Sequence, residues 1–293
     1  MPTTVSAPPE GRQTPDTGTW RVRTTPFGDR LARTAVRALV LFGVVFLLAP
    51  LVVIVVTSFN VAPALAFPPR NWSLSSYGHI SASLYEAFLV SVQLAVVATL
   101  VSMALAVPAA FALVRGRIPG ARVLETFLRG PLQVPQIIMG LALYEFMVVL
   151  DGFGVPLQAR FAGLVVAHVV LVTPYILATA VSRVAAIDRE TEEAAAGLGA
   201  RPAVVLFRVV MPAIRQALIA SGLLAFLVSF DNVPLSLFLT VPGGTTLPVE
   251  LFNQSESSLS PTIYAAASAT VLFSLVFTAV LDRLVGLRNA LRR

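Results

Sequence analysis

Six stretches of roughly twenty apolar residues, spread along the whole chain, constrain its fold more than any other feature. They cover residues 38–57, 87–114, 131–150, 161–182, 216–241 and 262–281. A helix needs about 20 such residues to cross the hydrocarbon layer of a membrane. The pattern therefore predicts an all-α, polytopic membrane protein with six transmembrane helices. The alternative, a set of buried helices in a large soluble core, fits the composition poorly. Of 293 residues, 56% are hydrophobic and 12% charged, against roughly a quarter charged in a soluble domain.

The charges set the orientation. All 21 basic residues are Arg, and Lys is absent. A Walker A loop must place a Lys on the β/γ-phosphates, so this chain is not a standard P-loop ATPase. With no Cys, disulfide scaffolds, thiolate metal sites and Cys nucleophiles are excluded as well. Arg residues flanking spans are retained on the cytoplasmic side. With the N-terminus inside, six Arg fall in the tail up to Arg37, four from Arg115 to Arg129, five from Arg183 to Arg215 and four from Arg283 onward. Only Arg70 and Arg160 fall outside. Both termini are expected in the cytoplasm. Because the basic residues alternate with spans, they build no single face for a phosphate backbone, and nucleic acid is not expected as a partner.

Residues 1–34 are polar, Pro/Thr-rich and Arg-bearing, which predicts a disordered cytoplasmic tail. The membrane domain is expected over 35–287 and a short cytoplasmic tail over 288–293. Ala64-Leu65-Ala66 is similar to a signal-peptidase site, but the apolar run before it is too long for a signal peptide, so the first span reads as a retained anchor. In the outer connection, Trp72, Tyr77 and Tyr85 read either as an interfacial aromatic belt or as a docking surface for an external partner.

The inner connection 183–215 is the most informative segment. Asp188, Glu190, Glu192 and Glu193 precede Ala194-Ala195-Ala196-Gly197-Leu198-Gly199. Acidic residues suit the first turn of a helix and Ala favours its continuation, so a short helix should begin near Asp188. Gly197 or Gly199 then reverses the chain. Pro202 suits the first turn of a second helix, and Pro212 should break or kink that helix before the next span.

At these residues the chain resembles the permease subunits of type I ABC importers. Their motif is Glu-Ala-Ala, three residues, Gly, nine residues, then aliphatic, any, apolar and Pro. It falls here on Glu193, Ala194, Ala195, Gly199, Val209, Met211 and Pro212. The resemblance covers roughly residues 38–287 and is closest to the polyamine (spermidine/putrescine) branch. Pointers to that branch are Pro69-Arg70-Asn71-Trp72-Ser73-Leu74 with Tyr77, Pro131-Leu132-Gln133-Val134-Pro135, and Ser229-Phe230-Asp231-Asn232. It implies the type I ABC importer permease fold and a coupling helix seated on an ATP-hydrolysing subunit. The expected coupling residues are Glu192, Glu193, Ala194, Ala195, Gly199, Met211 and Pro212. It also implies the partners: a second permease, usually a different chain, two copies of a cytoplasmic ABC ATPase, and an external solute-binding protein. No cofactor is expected in this chain, because ATP and Mg would be bound by the ATPase subunit, and the chain itself is not expected to be an enzyme. The implied location is the bacterial inner membrane. Related branches carry opines, phosphonates and other small solutes.

Two carboxylates fall within spans, Glu145 and Asp231. A charge at a helix centre costs about 2.5–3.5 kcal/mol on insertion scales, so each should face the bundle interior or a wet cavity. Asp231 is expected near the midplane and, with Ser229 and Asn232, reads as a pathway for a cation, as a structural hydrogen bond, or as helix-end solvation. Glu145 lines the pathway or reaches water, and Tyr144 lines it or joins the aromatic belt. His168 reads as a hydrogen-bonded packing residue rather than a metal ligand or proton carrier, and no metal site is expected. Pro50, Pro108, Pro135 and Pro174 kink helices around a pathway or simply accommodate packing. Rival functions are an ion-driven secondary transporter or channel, which would show an inverted repeat or paired intramembrane charges, and a membrane enzyme, which would show clustered catalytic residues.

Overall fold

The computed structural model of the chain describes residues 26–60, 67–69, 71–240, 244–257 and 260–285. Residues 64–66, Arg70, the first 25 residues of the expected tail and the tail 288–293 lie outside the described residues. Among the described residues the structure is helical, with an isolated bridge between Asn60 and Trp72 and no strand. In order, the helices are α1 (Pro26–Thr57), α2 (Ser75–Gly78), α3 (Ala82–Arg115), α4 (Ala121–Leu128), α5 (Gln136–Gly152), α6 (Phe161–Ala185), α7 (Arg189–Gly197), α8 (Pro202–Val205), α9 (Met211–Phe230), α10 (Leu247–Ser257) and α11 (Pro261–Val285).

By its contacts the chain divides after Leu51 into two units. The first holds most of α1, which begins at Pro26, inside the stretch 1–34 expected to be a tail. Its apolar side chains, among them Leu39, Phe42, Phe46 and Leu47, are exposed. Such a helix cannot be stable in water with that surface uncovered, and its length suits a hydrocarbon layer.

The second unit is organised around α3, α6 and α9, which pack extensively on one another. α3 and α6 run parallel: Ser102 lies by Val169 and Thr173, and Arg115 by Val184 and Ile187. α9 runs against them, with Gly222 beside Met103 and Phe230 beside Phe88. Small residues make the close approach possible. Ala95, Ala98, Ala106 and Ala110 of α3, Ala167 and Ala180 of α6, and Ala225 of α9 are all buried. Towards the Phe230 end, Phe88, Phe226, Phe230, Phe273 and Phe277 join α3, α9 and α11 through ring contacts of 4.4–6.0 Å.

Among the described residues, five helices are long and apolar enough to cross a membrane: Ala32–Thr57, Ala82–Arg115, Phe161–Ala185, Pro202–Phe230 and Pro261–Val280. Two of the six expected spans need correction. The stretch 131–150 is not one straight helix: the segment Ala121–Leu132 meets α5 at a 103° bend, and α5 itself has 17 residues. Val134 and Pro135 explain the break, since the residue before Pro is driven from helical geometry and Pro lacks the N–H that would continue the ladder. The chain reaches six spans only if this bent pair counts as one.

The stretch 216–241 is displaced. Helix begins at Pro202, passes through a π turn at Leu206–Val210 and ends at Phe230. Pro212 therefore does not break the helix. It lacks an N–H for the Arg208 carbonyl, and the wider π turn just ahead of it takes up that irregularity.

Gly140 sets how closely α5 approaches the short 3-10 helix Ser236–Leu239 and the residue before it. A Cβ at this position would lie 3.0 Å from Phe238 Cδ2 and 3.2 Å from the Leu235 Cα. Gly140→Val is expected to cost about 1–3 kcal/mol through overpacking, seen as a lowered melting temperature of the detergent-solubilised protein.

A candidate coupling hairpin and a candidate solute pathway

The hairpin between α6 and α9 is built largely as its sequence dictates. Asp188 is the N-cap of α7 in extended geometry, and its Oδ1 accepts from the Glu190 N–H at 3.1 Å. Glu190 and Glu192 occupy the first turn, where the helix dipole favours negative charge. Gly199, at φ +85°, makes the chain reversal; this is left-handed backbone that a side chain with Cβ adopts only at a cost. Pro202 then opens α8.

The expected coupling residues separate into an outer and an inner group. Glu193, Ala194, Gly199 and Pro212 are exposed, whereas Ala195 and Met211 are half-buried against the apolar core. Glu192 is turned inward and only 9% exposed, accepting from Arg115 Nε at 2.9 Å. Two residues here were not anticipated from the sequence. Leu198 caps α7 and is 91% exposed, an apolar side chain at the tip of a polar hairpin. Arg115, which the sequence marks only as an orientation signal, binds Glu192 and the carbonyls of Val184 and Ile187. An apolar residue between two glycines was the available sign of the first; nothing local pointed to the second.

The pathway candidates lie where α9 ends. Asp231 is not at mid-helix, as the apolar run suggested, but is the exposed C-cap of α9. The helix stops there because Pro234 restricts Val233 and because Asn232 captures the backbone. Its Oδ1 accepts from the N–H groups of Leu235 at 3.0 Å and Ser236 at 3.3 Å, and its Nδ2 donates to Gln136 Oε1 at 2.8 Å. Ser229 and Asn232 are both buried. Ser229 Oγ is 2.8 Å from His168 Nδ1, and Ser236 Oγ is 3.0 Å from His168 Nε2. His168 thus serves as a buried hydrogen-bonding post between α6, α9 and the 3-10 helix, the packing role read for it.

Glu145 is exposed on α5, seven residues before the end of the helix. The neighbouring Tyr144 is half-buried, and its hydroxyl accepts from Gln158 Nε2 at 3.2 Å. In the outer connection, Trp72 and Tyr85 are exposed, but the Tyr77 hydroxyl is 2.7 Å from Ser58 Oγ and donates to Ser268 Oγ at 3.2 Å, joining α11 to the segment after α1. Among the described residues no cluster of His, Cys, Asp and Glu is arranged to hold a metal.

A family model described as the binding-protein-dependent transport system inner membrane component matches residues 102–290. The chain belongs to this family. The matched region takes in the α7–α8 hairpin, His168 and Asp231. This inner membrane component is 34% identical, over 78% of its length and 83% of the relative's, to the putrescine transport system permease protein PotI of Escherichia coli. It is also 27% identical to the spermidine/putrescine transport system permease protein PotC of Haemophilus influenzae, over 83% of its length and 93% of that protein's. Its fold is that of ABC importer permeases. A bacterial ABC transporter structure involved in import of the acidic polysaccharide alginate superposes with a TM-score of 0.69 at 19% identity, covering 90% of this chain and 98% of that one. The chain is accordingly a multi-span permease component of an ABC importer.

His168→Ala is expected to cost about 3 kcal/mol, because it opens a cavity and strips two buried hydroxyls of their shared partner. Ser229→Ala should cost less, about 1 kcal/mol. Melting temperatures of the two purified variants test the order.

Proposed function

We propose that this permease subunit forms half of the pathway for a small cationic solute of the spermidine/putrescine type, driven by an ATPase that docks on the α7–α8 hairpin. The observation that carries the solute class is the similarity to putrescine and spermidine permeases over most of the chain. The exposed carboxylates of Asp231 and Glu145 agree with it, since a cation leaving water needs charged or polar partners to offset its lost hydration. In this reading the arginine-rich connections face the cytoplasm. A second permease, two copies of the ATPase and an external binding protein complete the importer.

Transport proceeds by alternating access. ATP binding closes the ATPases, the hairpin carries that motion to the membrane helices, and the path opens to a docked binding protein. The exposed face of Glu193, Leu198 and Gly199 is the part of the hairpin free to meet the ATPase, and Glu192 supports it from behind.

Two outcomes test this reading. Glu193→Arg and Gly199→Arg should each abolish uptake and the stimulation of the ATPase by the membrane subunits in reconstituted vesicles; stimulation that survives both changes refutes the docking assignment. Asp231→Ala should lower putrescine uptake by roughly tenfold or more, since each 1.4 kcal/mol of lost stabilisation of the passing cation is about a factor of ten in rate. Unchanged putrescine uptake with intact assembly removes Asp231 from the pathway.

A further inference from the structure

Arg115 ends a long apolar helix, and its guanidinium is committed on three sides. Nε and Nη2 both reach Glu192 Oε1, at 2.9 and 2.8 Å. Nη2 also donates to the carbonyls of Val184, at 2.9 Å, and Ile187, at 2.8 Å. The two side chains are only 12% and 11% exposed. The last carbonyls of a helix have no partner within it and carry partial negative charge, so a planar cation with several fixed donors suits the end of α6 better than a point charge would. One side chain therefore joins the ends of α3 and α6 to the first turn of α7.

α7 follows α6 after a link of three residues, and it packs on α8 and the π turn at the start of the helix that continues to Phe230, with Ala195 against the core. The Arg115 contact is its side-chain tie to α3 and to the end of α6. By contrast, α3 and α6 are packed along their lengths. Sixteen residues before Val184, about 24 Å along α6 at 1.5 Å per residue, His168 holds the hydroxyls of Ser229 and Ser236 on either side of Asp231.

We propose that Arg115 is a positioning residue that passes movement of the α7–α8 hairpin to α3 and α6, and through α6 to the segment around Asp231. This inference rests on the reading of the hairpin as the ATPase-docking element. A loosened hairpin still presents Glu193, Leu198 and Gly199, so loss of Arg115 leaves docking in place and spends ATP without moving solute.

The test uses the complete importer with its own partner chains in proteoliposomes, with radiolabelled putrescine delivered by its binding protein. The quantity read is ATP hydrolysed per putrescine imported. Arg115→Met should raise this ratio roughly tenfold, within the usual range of coupling between sites. Glu192→Gln, which keeps an acceptor oxygen but not the charge, should raise it by less. A purely structural loss lowers the amount of assembled complex and leaves the ratio of the remainder unchanged, so an unchanged ratio in Glu192→Gln overturns the proposal even if Arg115→Met does not assemble. If the wild-type complex does not hydrolyse ATP in response to the putrescine-loaded binding protein, the proposed function falls and this inference falls with it. An unchanged ratio against a responsive wild type overturns the Arg115 inference alone.

Discussion

Polar groups inside a hydrocarbon layer have no water to turn to, and at several points of this chain a side chain supplies the backbone with a partner. Pro174 lies within α6, which runs on unbroken to Ala185, and the adjacent Thr173 hydroxyl bonds the Val169 carbonyl and Ser102. Where α9 stops, Asn232 takes up two backbone N–H groups and anchors to Gln136 of α5. At the end of α6, Arg115 occupies two carbonyls. Asp231 follows the end of α9 held by Asn232, and the α7–α8 hairpin follows the end of α6 held by Arg115.

That arrangement separates rigid from presented surface. Ser229, Asn232, Ser236 and Glu192 are buried and held, whereas Asp231 beside Asn232 and Glu193 beside Glu192 stand exposed, as do Leu198 at the hairpin tip and Glu145 on α5. A buried polar group with its partners in place fixes geometry because breaking it leaves an unsatisfied neighbour, a cost of about 1–3 kcal/mol for each group. Asp231 and Glu193 are thus each carried beside a side chain that resists local movement.

What was legible in the sequence follows from range. The α7 hairpin was readable because its determinants are local: Asp188 caps its own helix, Gly199 turns its own loop and Pro202 opens its own turn. The apolar stretches gave the long helices for the same reason. Their breaks were less readable, since hydropathy continues across Pro135 and Asp231 while backbone geometry does not. Least readable were partners far apart in the chain. Arg115 meets Glu192 across 77 residues, and His168 meets Ser229 and Ser236 across 61 and 68. Nothing near Arg115 distinguishes it from the other arginines at span ends.

The exposed Leu198 at the hairpin tip has a consequence for how ionic conditions act on assembly. Covering a leucine is worth about 2 kcal/mol, a contribution that carries no charge and is not screened. Charges on the hairpin, Glu193 and the exposed Arg201 and Arg208, are attenuated over a Debye length of about 8 Å at physiological ionic strength. Added salt should therefore alter the speed and orientation with which a partner arrives at this tip, while the leucine contact holds it there largely unaffected.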